Sequence, residues 1–412
     1  MISRRDFLKD SLAVVSLGVA VPGVFGRAVV AAAEQKNGRA ANGKTLVVVQ
    51  LAGGVDGLNT VIPYSDGEYR RNRPNLGVRE QDMLVINERI AFHPALTEMK
   101  SLFEAGKLAV VEGVGYPKPN FSHFKAMDIW QSADPEGEAR DGWLGRYFDG
   151  LADDQGHPLA GLSVGRSLPY AFQAKTMIPS IESADSFSIQ APPGSEGEQR
   201  TASLLRLYDS YRPSKTSFAA LLDTTLDSAH KSSQELATAH AAYKPSLTYP
   251  GTSLASGLRL LAELIDSGNG ESPLRVGHVT LGGFDTHTQE AGTLNRLLNE
   301  ASESISAFWN DIEAHGHGDD VLVMTWSEFG RRVYENAQGG TDHGSAGPMF
   351  LLGKSVKGGF YGEPPALSNL DNGNLRYTTD FRSVYATVLE RWLEAPAKDV
   401  LGANFDQLKF LA

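Results

Sequence analysis

Thr45-Leu-Val-Val-Val-Gln-Leu51 is a seven-residue run in which polar and apolar side chains do not alternate. A strand that is apolar on both faces needs cover on both, and a parallel sheet flanked by helices provides it. The run ends in Ala52-Gly-Gly-Val-Asp-Gly-Leu-Asn59, whose glycines allow a sharp turn at the strand's carboxyl end. Ligands of open α/β sheets sit beyond that end, so Asp56 and Asn59 are the first candidate functional residues.

The rest of the chain repeats the pattern. Leu108–Val114, Val276–Gly282, Val321–Thr325 and Pro348–Leu352 read as further strands. His93–Ala105, Ser122–Gln131, about Thr288–His315 and Thr379–Leu393 carry helical spacing, with Asn120 or Ser122 capping the second. Strands alternating with helices predict an α/β fold, a mostly parallel central sheet with helices on both faces. Residues 134–250 are rich in Gly, Pro and Ser and then largely helical in pattern. They are expected to form a helical or irregular insertion or cap rather than sheet core.

Polar residues gather directly after the strands. The groups are Asp56 with Asn59; Asn120, Ser122 and His123; Asp285 and His287; Ser327, Glu328 and Arg331; and Asp342 with His343 in Gly340-Thr-Asp-His-Gly344. Carboxylates and imidazoles together suit Zn²⁺ or Mn²⁺ or, with more oxygen, Ca²⁺ or Mg²⁺. Such a cation offsets the repulsion among Asp56, Asp285, Glu328 and Asp342. A serine at a helix start lies beside backbone N–H groups that favour an anion, and a nearby metal lowers a hydroxyl pKa.

Plainer roles stand beside these. Asp56 also fits a turn, Ser122 an N-cap, His123 a half-buried ring, Asp285 with His287 a simple hydrogen bond, and Glu328 an ion pair with Arg331 or Arg332. His278, inside a strand, reads as a satisfied core histidine, and His315 and His317 as a helix end. No Walker loop, dinucleotide fingerprint or hydrolase elbow occurs at the strand–helix junctions.

The absence of cysteine excludes disulfides, iron–sulfur clusters, thiolate zinc sites and cysteine nucleophiles. Ser3-Arg-Arg-Asp-Phe-Leu-Lys9, an apolar run from Ser11 to Phe25, and Ala31-Ala-Ala33 stand in the order of a twin-arginine export signal over residues 1–33, with a polar tether over 34–43. An uncleaved amphipathic helix is the alternative. The apolar run falls short of the ~20 residues a bilayer demands, and no later run reaches that length. The net charge is −11, and +2 within residues 1–33 leaves −13 for the remaining 379 residues. That acidity argues against nucleic acid and anionic membranes as partners. The expected location is the periplasm or outside the cell, with the twin-arginine translocase as partner in transit.

The twin-arginine start, Leu51-Ala-Gly-Gly-Val-Asp-Gly-Leu-Asn59, Asn120-Phe-Ser-His-Phe124, Gly283-Phe-Asp-Thr-His287, Ser327-Glu-Phe-Gly-Arg331 and Gly340-Thr-Asp-His-Gly344 together resemble the bacterial family known as domain of unknown function 1501. The resemblance covers nearly all of 44–412. More distantly the chain is similar to the alkaline phosphatase, sulfatase and phosphoglycerate mutase superfamily. That likeness implies Asp56 as the metal-binding aspartate after the first strand, Ser122 as a nucleophile at a helix N-terminus, Asp285 and His287 as a metal motif, and His343 as the final histidine. The chain departs from it where Glu328-Phe329 replaces Asp-His and where the spacing of Asp285 and His287 is shorter. These departures fit one metal or none better than two, with Asp342 as a substitute ligand. The lack of cysteine and the His123-Phe-Lys125 that follows Ser122 argue against formylglycine, and no haem, flavin or molybdopterin signature is present.

The expected function is an exported, metal-dependent hydrolase of phosphate or sulfate esters, acting on an anionic small molecule or glycan ester. Ser122 would serve with Asn120, His123 and Arg331 in catalysis, Asp56, Asp285, His287, Glu328, Asp342 and His343 as metal ligands, and Asn59 at the substrate. The alternative is a non-catalytic binding or assembly protein of the cell envelope on the same fold.

Overall fold

β1 (Thr45–Ala52) is buried at every residue but its last, as a two-sided apolar run requires. The computed structural model describes residues 43–151, 159–183, 232–267 and 274–411, with Gln199, Ser203 and Arg206 singly. The expected signal over 1–33 and all but the end of the 34–43 tether lie outside the described residues. Next come α1 (Gly57–Thr60), β2 (Val61–Ile62), α2 (Gly67–Asn72), β3 (Leu84–Val85), β4 (Ala91–Phe92) and α3 (Thr97–Glu104). β2, β4 and β3 form a small antiparallel sheet. β5 (Leu108–Gly115), α4 (His123–Ser132), α5 (Trp143–Asp149), β6 (Gly161–Val164), β7 (Ser180–Ile181), α6 (Ser253–Asp266), β8 (Val276–Gly282) and α7 (Glu290–Ala314) follow. After them run β9 (Val321–Trp326), β10 (Gly347–Leu352), β11 (Gly359–Tyr361), β12 (Thr379–Asp380), α8 (Phe381–Arg391) and α9 (Ala397–Leu401).

The main sheet has the order β11-β5-β10-β9-β1-β8-β6-β7, with β12 also on β5. β1 lies parallel to both β8 and β9 at its centre. Helices cover both faces. On one face Val276 of β8 belongs to a buried cluster that includes Trp143 and Phe148 of α5 and Tyr385 and Leu389 of α8. On the opposite face Gly277 lies against Leu261 of α6, and Val279 against Gly257. The mostly parallel α/β architecture expected from the strand pattern is the one observed.

Two features add to that pattern. β10 runs antiparallel to β9 and β5. A parallel return calls for a crossover, usually a helix, and residues 327–346 between β9 and β10 contain none. Residues 134–250 are not purely an insertion either, because β6 pairs in parallel with β8 and β7 with β6. These strands of four and two residues, embedded in Gly- and Pro-rich sequence, leave too little pattern to read. Residues 184–231, apart from the three named above, lie outside the described residues. The chain divides into two compact units, and everything below concerns the one made of Gly38–Ser183 and Thr238–Ala412. Among the described residues no helix is long and apolar enough to cross a membrane.

Candidate metal centre

The strand directions bring four segments to one edge of the sheet. β1, β8 and β9 are mutually parallel and end there; β10, antiparallel to β9, begins there; and β5, antiparallel to β10, ends there. The loops are drawn tightly together. Gly53 has φ +123°, and a Cβ on it would lie 2.5 Å from the Asp285 nitrogen. One on Gly340 would lie 2.3 Å from the His287 carbonyl carbon. Only glycine permits these approaches.

Four predicted residues meet at this rim: His123 at the first turn of α4, Asp285 and His287 beyond β8, and His343 ahead of β10. His343 Nε2 stands 3.1 Å from Asp285 Oδ1 and 2.9 Å from His287 Nε2. His287 Nε2 is 3.1 Å from the same Oδ1, and His123 Nε2 is 3.4 Å from Asp285 Oδ2. The ligand atoms of His123, Asp285 and His343 all lie within 4.8 Å of one another.

Each imidazole is oriented through its other nitrogen. His123 Nδ1–H donates to Glu328 Oε1 at 2.8 Å, His343 Nδ1–H to the Phe121 carbonyl at 2.7 Å, and His287 Nδ1–H to Asp342 Oδ1 at 3.3 Å. These acceptors fix the tautomers, so in the neutral rings all three Nε2 atoms carry lone pairs turned toward the Asp285 carboxylate. Lone pairs 2.9 Å apart repel, and the buried Nε2 of His123 has no hydrogen-bond partner. A cation removes both problems. Tetrahedral zinc with Zn–N of ~2.0–2.1 Å separates its ligand atoms by about 3.3–3.4 Å, close to the separations of His343 Nε2 and His123 Nε2 from the Asp285 oxygens; His123, Asp285 and His343 are the set whose ligand atoms all lie within 4.8 Å, with His287 beside it against Asp285 and His343. Anchoring Nδ1–H to a carboxylate or carbonyl is the usual support of a metal-bound histidine. The residues present therefore fit a single divalent ion of the zinc type.

Glu328 and Asp342, both expected as ligands, stand behind the site instead. Glu328 is fully buried and accepts from the Gly53 N–H at 2.8 Å as well as from His123. It pairs with neither Arg331 nor Arg332. Asp342 is exposed and orients His287. Arg331 is a correction as well. Its buried guanidinium donates to the carbonyls of Gly53, Gly54 (2.7 Å), Phe284 (2.8 Å) and Thr341 (3.0 Å) and to Asp285 Oδ1 (2.9 Å), which leaves it to position Asp285 rather than an incoming anion. Partial burial opposes the charge on Asp285, and the hydrogen bond and charge of Arg331 outweigh it, lowering its pKa to about 2.

Asp56 is not at the rim. Its carboxylate is buried in a two-pronged pair with Arg73, Nη1–Oδ2 2.5 Å and Nη2–Oδ1 3.0 Å, so neither oxygen is free for a metal. Burial pushes its pKa up, and Arg73 more than reverses that. Asn59 is buried too, accepting from the Tyr69 hydroxyl at 2.7 Å and donating to the Leu76 carbonyl at 3.3 Å. Ser122 is the exposed N-cap of α4 and makes no side-chain capping bond. Asn120 Oδ1 accepts from its N–H at 2.9 Å, and the neighbours Phe121 and His123 are both tied into the cluster. Arg73 and Glu290, buried below the rim, had no sequence signal: one follows Arg70 and Arg71 in a polar stretch, and the other opens a helix like any first-turn acid.

A family described as "Protein of unknown function (DUF1501)" matches residues 43–392. Among solved structures, the chain is similar to the C-terminal periplasmic domain of EcEptC from Escherichia coli in complex with Zn, at 12% identity over 78% of this chain and 74% of that one with a TM-score of 0.36. It is also similar to a protein in the alkaline phosphatase superfamily from Vibrio parahaemolyticus (10% identity, 83% and 70% covered, TM-score 0.34). The PsFucS1 sulfatase from Pseudoalteromonas sp. is a third (12% identity, 95% and 76% covered, TM-score 0.37). At such scores these likenesses carry no weight for the chemistry. No curated protein matches the chain.

Proposed function

We propose that this chain, which belongs to the DUF1501 family of proteins of unknown function, is an exported, metal-dependent hydrolase of phosphate or sulfate esters. The observation that carries the reading is the convergence of three imidazole Nε2 atoms on the Asp285 carboxylate, each ring held from behind. His123, His287, His343 and Asp285 would hold the ion, with zinc favoured by three nitrogen donors. Bound there, a divalent ion supplies Lewis acidity and lowers the pKa of an adjacent hydroxyl.

The chain's own groups account for the rest. Ser122 sits on the rim between two residues of the cluster, at the start of a ten-residue helix. The first N–H groups of that helix have no intrahelical acceptor and favour an anionic group. Ser122 Oγ bonds to the phosphorus or sulfur, and the ester oxygen leaves with its electron pair and takes up the serine proton. Water then releases the acid and restores the hydroxyl. Asn120 holds the Ser122 backbone in place.

Metal analysis of the purified protein and turnover of p-nitrophenyl phosphate and sulfate test this directly. The expected result is one zinc per chain and hydrolysis of one ester, lost by at least about a hundredfold in Ser122→Ala. Turnover that survives Ser122→Ala removes the serine from the mechanism, and protein that neither holds nor binds a divalent ion ends the reading. Export is checked separately with a reporter fused after residue 43 that is active only outside the cytoplasm. Replacing both Arg4 and Arg5 by Lys abolishes its signal if the twin-arginine route is used.

A further inference from the structure

We propose that Glu290 is a positioning residue for the metal centre: from beneath the rim it sets the spacing of His287 and His343 by tying their two loops together through Thr341. The proposal rests on the metal reading above.

Glu290 opens α7 three residues after His287, and its side chain is fully buried. Its Oε2 accepts from Thr341 Oγ1 at 2.5 Å, and Thr341 lies two residues before His343. The Glu290 N–H donates to the Gly339 carbonyl at 2.9 Å, and the Thr341 N–H to the Thr286 carbonyl at 3.2 Å. The two loops are thus cross-linked just below the point where their imidazoles approach to 2.9 Å.

The other oxygen, Oε1, is buried and meets no donor. It faces the Asp56 carboxylate, and two carboxyl groups can hydrogen-bond only when one carries a proton. Burial, and then the charge on Asp56, push Glu290 up to about 9. A proton held on Glu290 at neutral pH would give that oxygen a bond to Asp56. Asp56 is gripped by Arg73, whose remaining N–H groups reach the carbonyls of Val333 (2.6 Å) and Arg332 (2.8 Å), next to the arginine that holds Asp285. With that bond, Thr341, Glu290, Asp56 and Arg73 would form a buried chain to residues 332–333, alongside the direct ties between the loops that carry Asp285, His287 and His343.

A neutral carboxylic acid and a carboxamide have the same shape and the same complement of one donor face and one acceptor, so Glu290→Gln distinguishes positioning from mere bulk. Zinc affinity is measured by calorimetric titration of the exported protein, with the fold of each variant checked by circular dichroism and its unfolding midpoint. Glu290→Gln is expected to bind zinc within about threefold of the unaltered protein, while Glu290→Leu and Thr341→Val bind about 10- to 100-fold more weakly, the usual effect of losing a group behind a metal ligand. If Glu290→Leu does not fold, Thr341→Val, which removes one hydroxyl, decides. Folded Leu or Val variants that bind zinc as tightly as the unaltered protein overturn the positioning role alone, as does a Gln variant as weak as Leu. Failure of the unaltered protein to bind zinc overturns the metal reading and this role together.

Discussion

Asp311, on α7, collects five polar contacts, and Asp285, beyond β8, four. Around Asp311 four are donors, the Tyr243 hydroxyl (2.5 Å), the Ser246 N–H (2.6 Å) and hydroxyl (2.7 Å), and the Tyr249 hydroxyl (2.8 Å), and the fifth is His315 Nδ1 at 3.4 Å, which lies closer to the Asp311 backbone carbonyl at 2.8 Å. Around Asp285 only Arg331 is an obligatory donor, and the other three contacts are imidazole nitrogens whose protons are committed elsewhere. Asp311 is 0% exposed and Asp285 48%. Burial raises the Asp311 pKa, and its hydroxyl and N–H donors more than cancel that, so the group stays charged and satisfied. The contrast gives a rule that applies beyond this molecule. A carboxylate supplied with donors is satisfied by the fold, whereas one facing a surplus of acceptors at the surface has surroundings that a cation would complete.

The largest effect expected from this contrast is on stability at the closed cluster. Asp311→Ala leaves two tyrosines and Ser246 without their acceptor and should lower unfolding stability by about 3–5 kcal/mol in urea titrations while leaving zinc affinity unchanged. A loss below about 1 kcal/mol would break the contrast from that side.

A third environment has neither donors nor acceptors. His278, expected to be a satisfied core histidine, is buried on β8 with no partner for either ring nitrogen. Burial lowers it to about 4. Being lowered below its unfolded value of about 6.5, it leaves full stability above pH 6.5 and erodes it as pH falls toward 4, by up to roughly 3 kcal/mol. Urea midpoints measured from pH 7 to 4 should fall accordingly, and His278→Leu should flatten that dependence. His93, likewise lowered to about 4 by burial against the opposing charge of Asp56, adds to that slope, while Glu112, raised to about 7 by burial, works against it over the same range.

Zinc itself supplies the next effect. At a concentration a hundred times its Kd it should stabilise the protein by about 2.7 kcal/mol, visible as a raised melting temperature that disappears in the His123→Ala, His343→Ala double variant. The smallest effect sharpens the open side of the contrast. In metal-free protein Asp285→Asn should change stability by less than about 1 kcal/mol, because the partly exposed group answers few donors, while zinc binding is lost. A destabilisation as large as that of Asp311→Ala would make Asp285 a structural residue.

The sheet was legible because a two-sided apolar run such as Thr45–Leu51 has few other stable fates, and the edge that holds the site followed from strand direction. Residue type and position after a strand brought Asp285, His287 and His343 into view, with a simple hydrogen bond as the plainer role for the first two, and the resemblance singled out those two as a metal motif and His343 as the final histidine. Burial and partner choice were not legible, because they depend on residues far away in the chain. Asp56 looked like a ligand until Arg73 closed on it, and Glu328 until its carboxylate turned to Gly53 and His123. Arg331 appeared free for an anion, yet its guanidinium serves four carbonyls from three loops. A sequence lists donors and acceptors; which lone pairs remain unanswered is decided only when folding has paired off the rest.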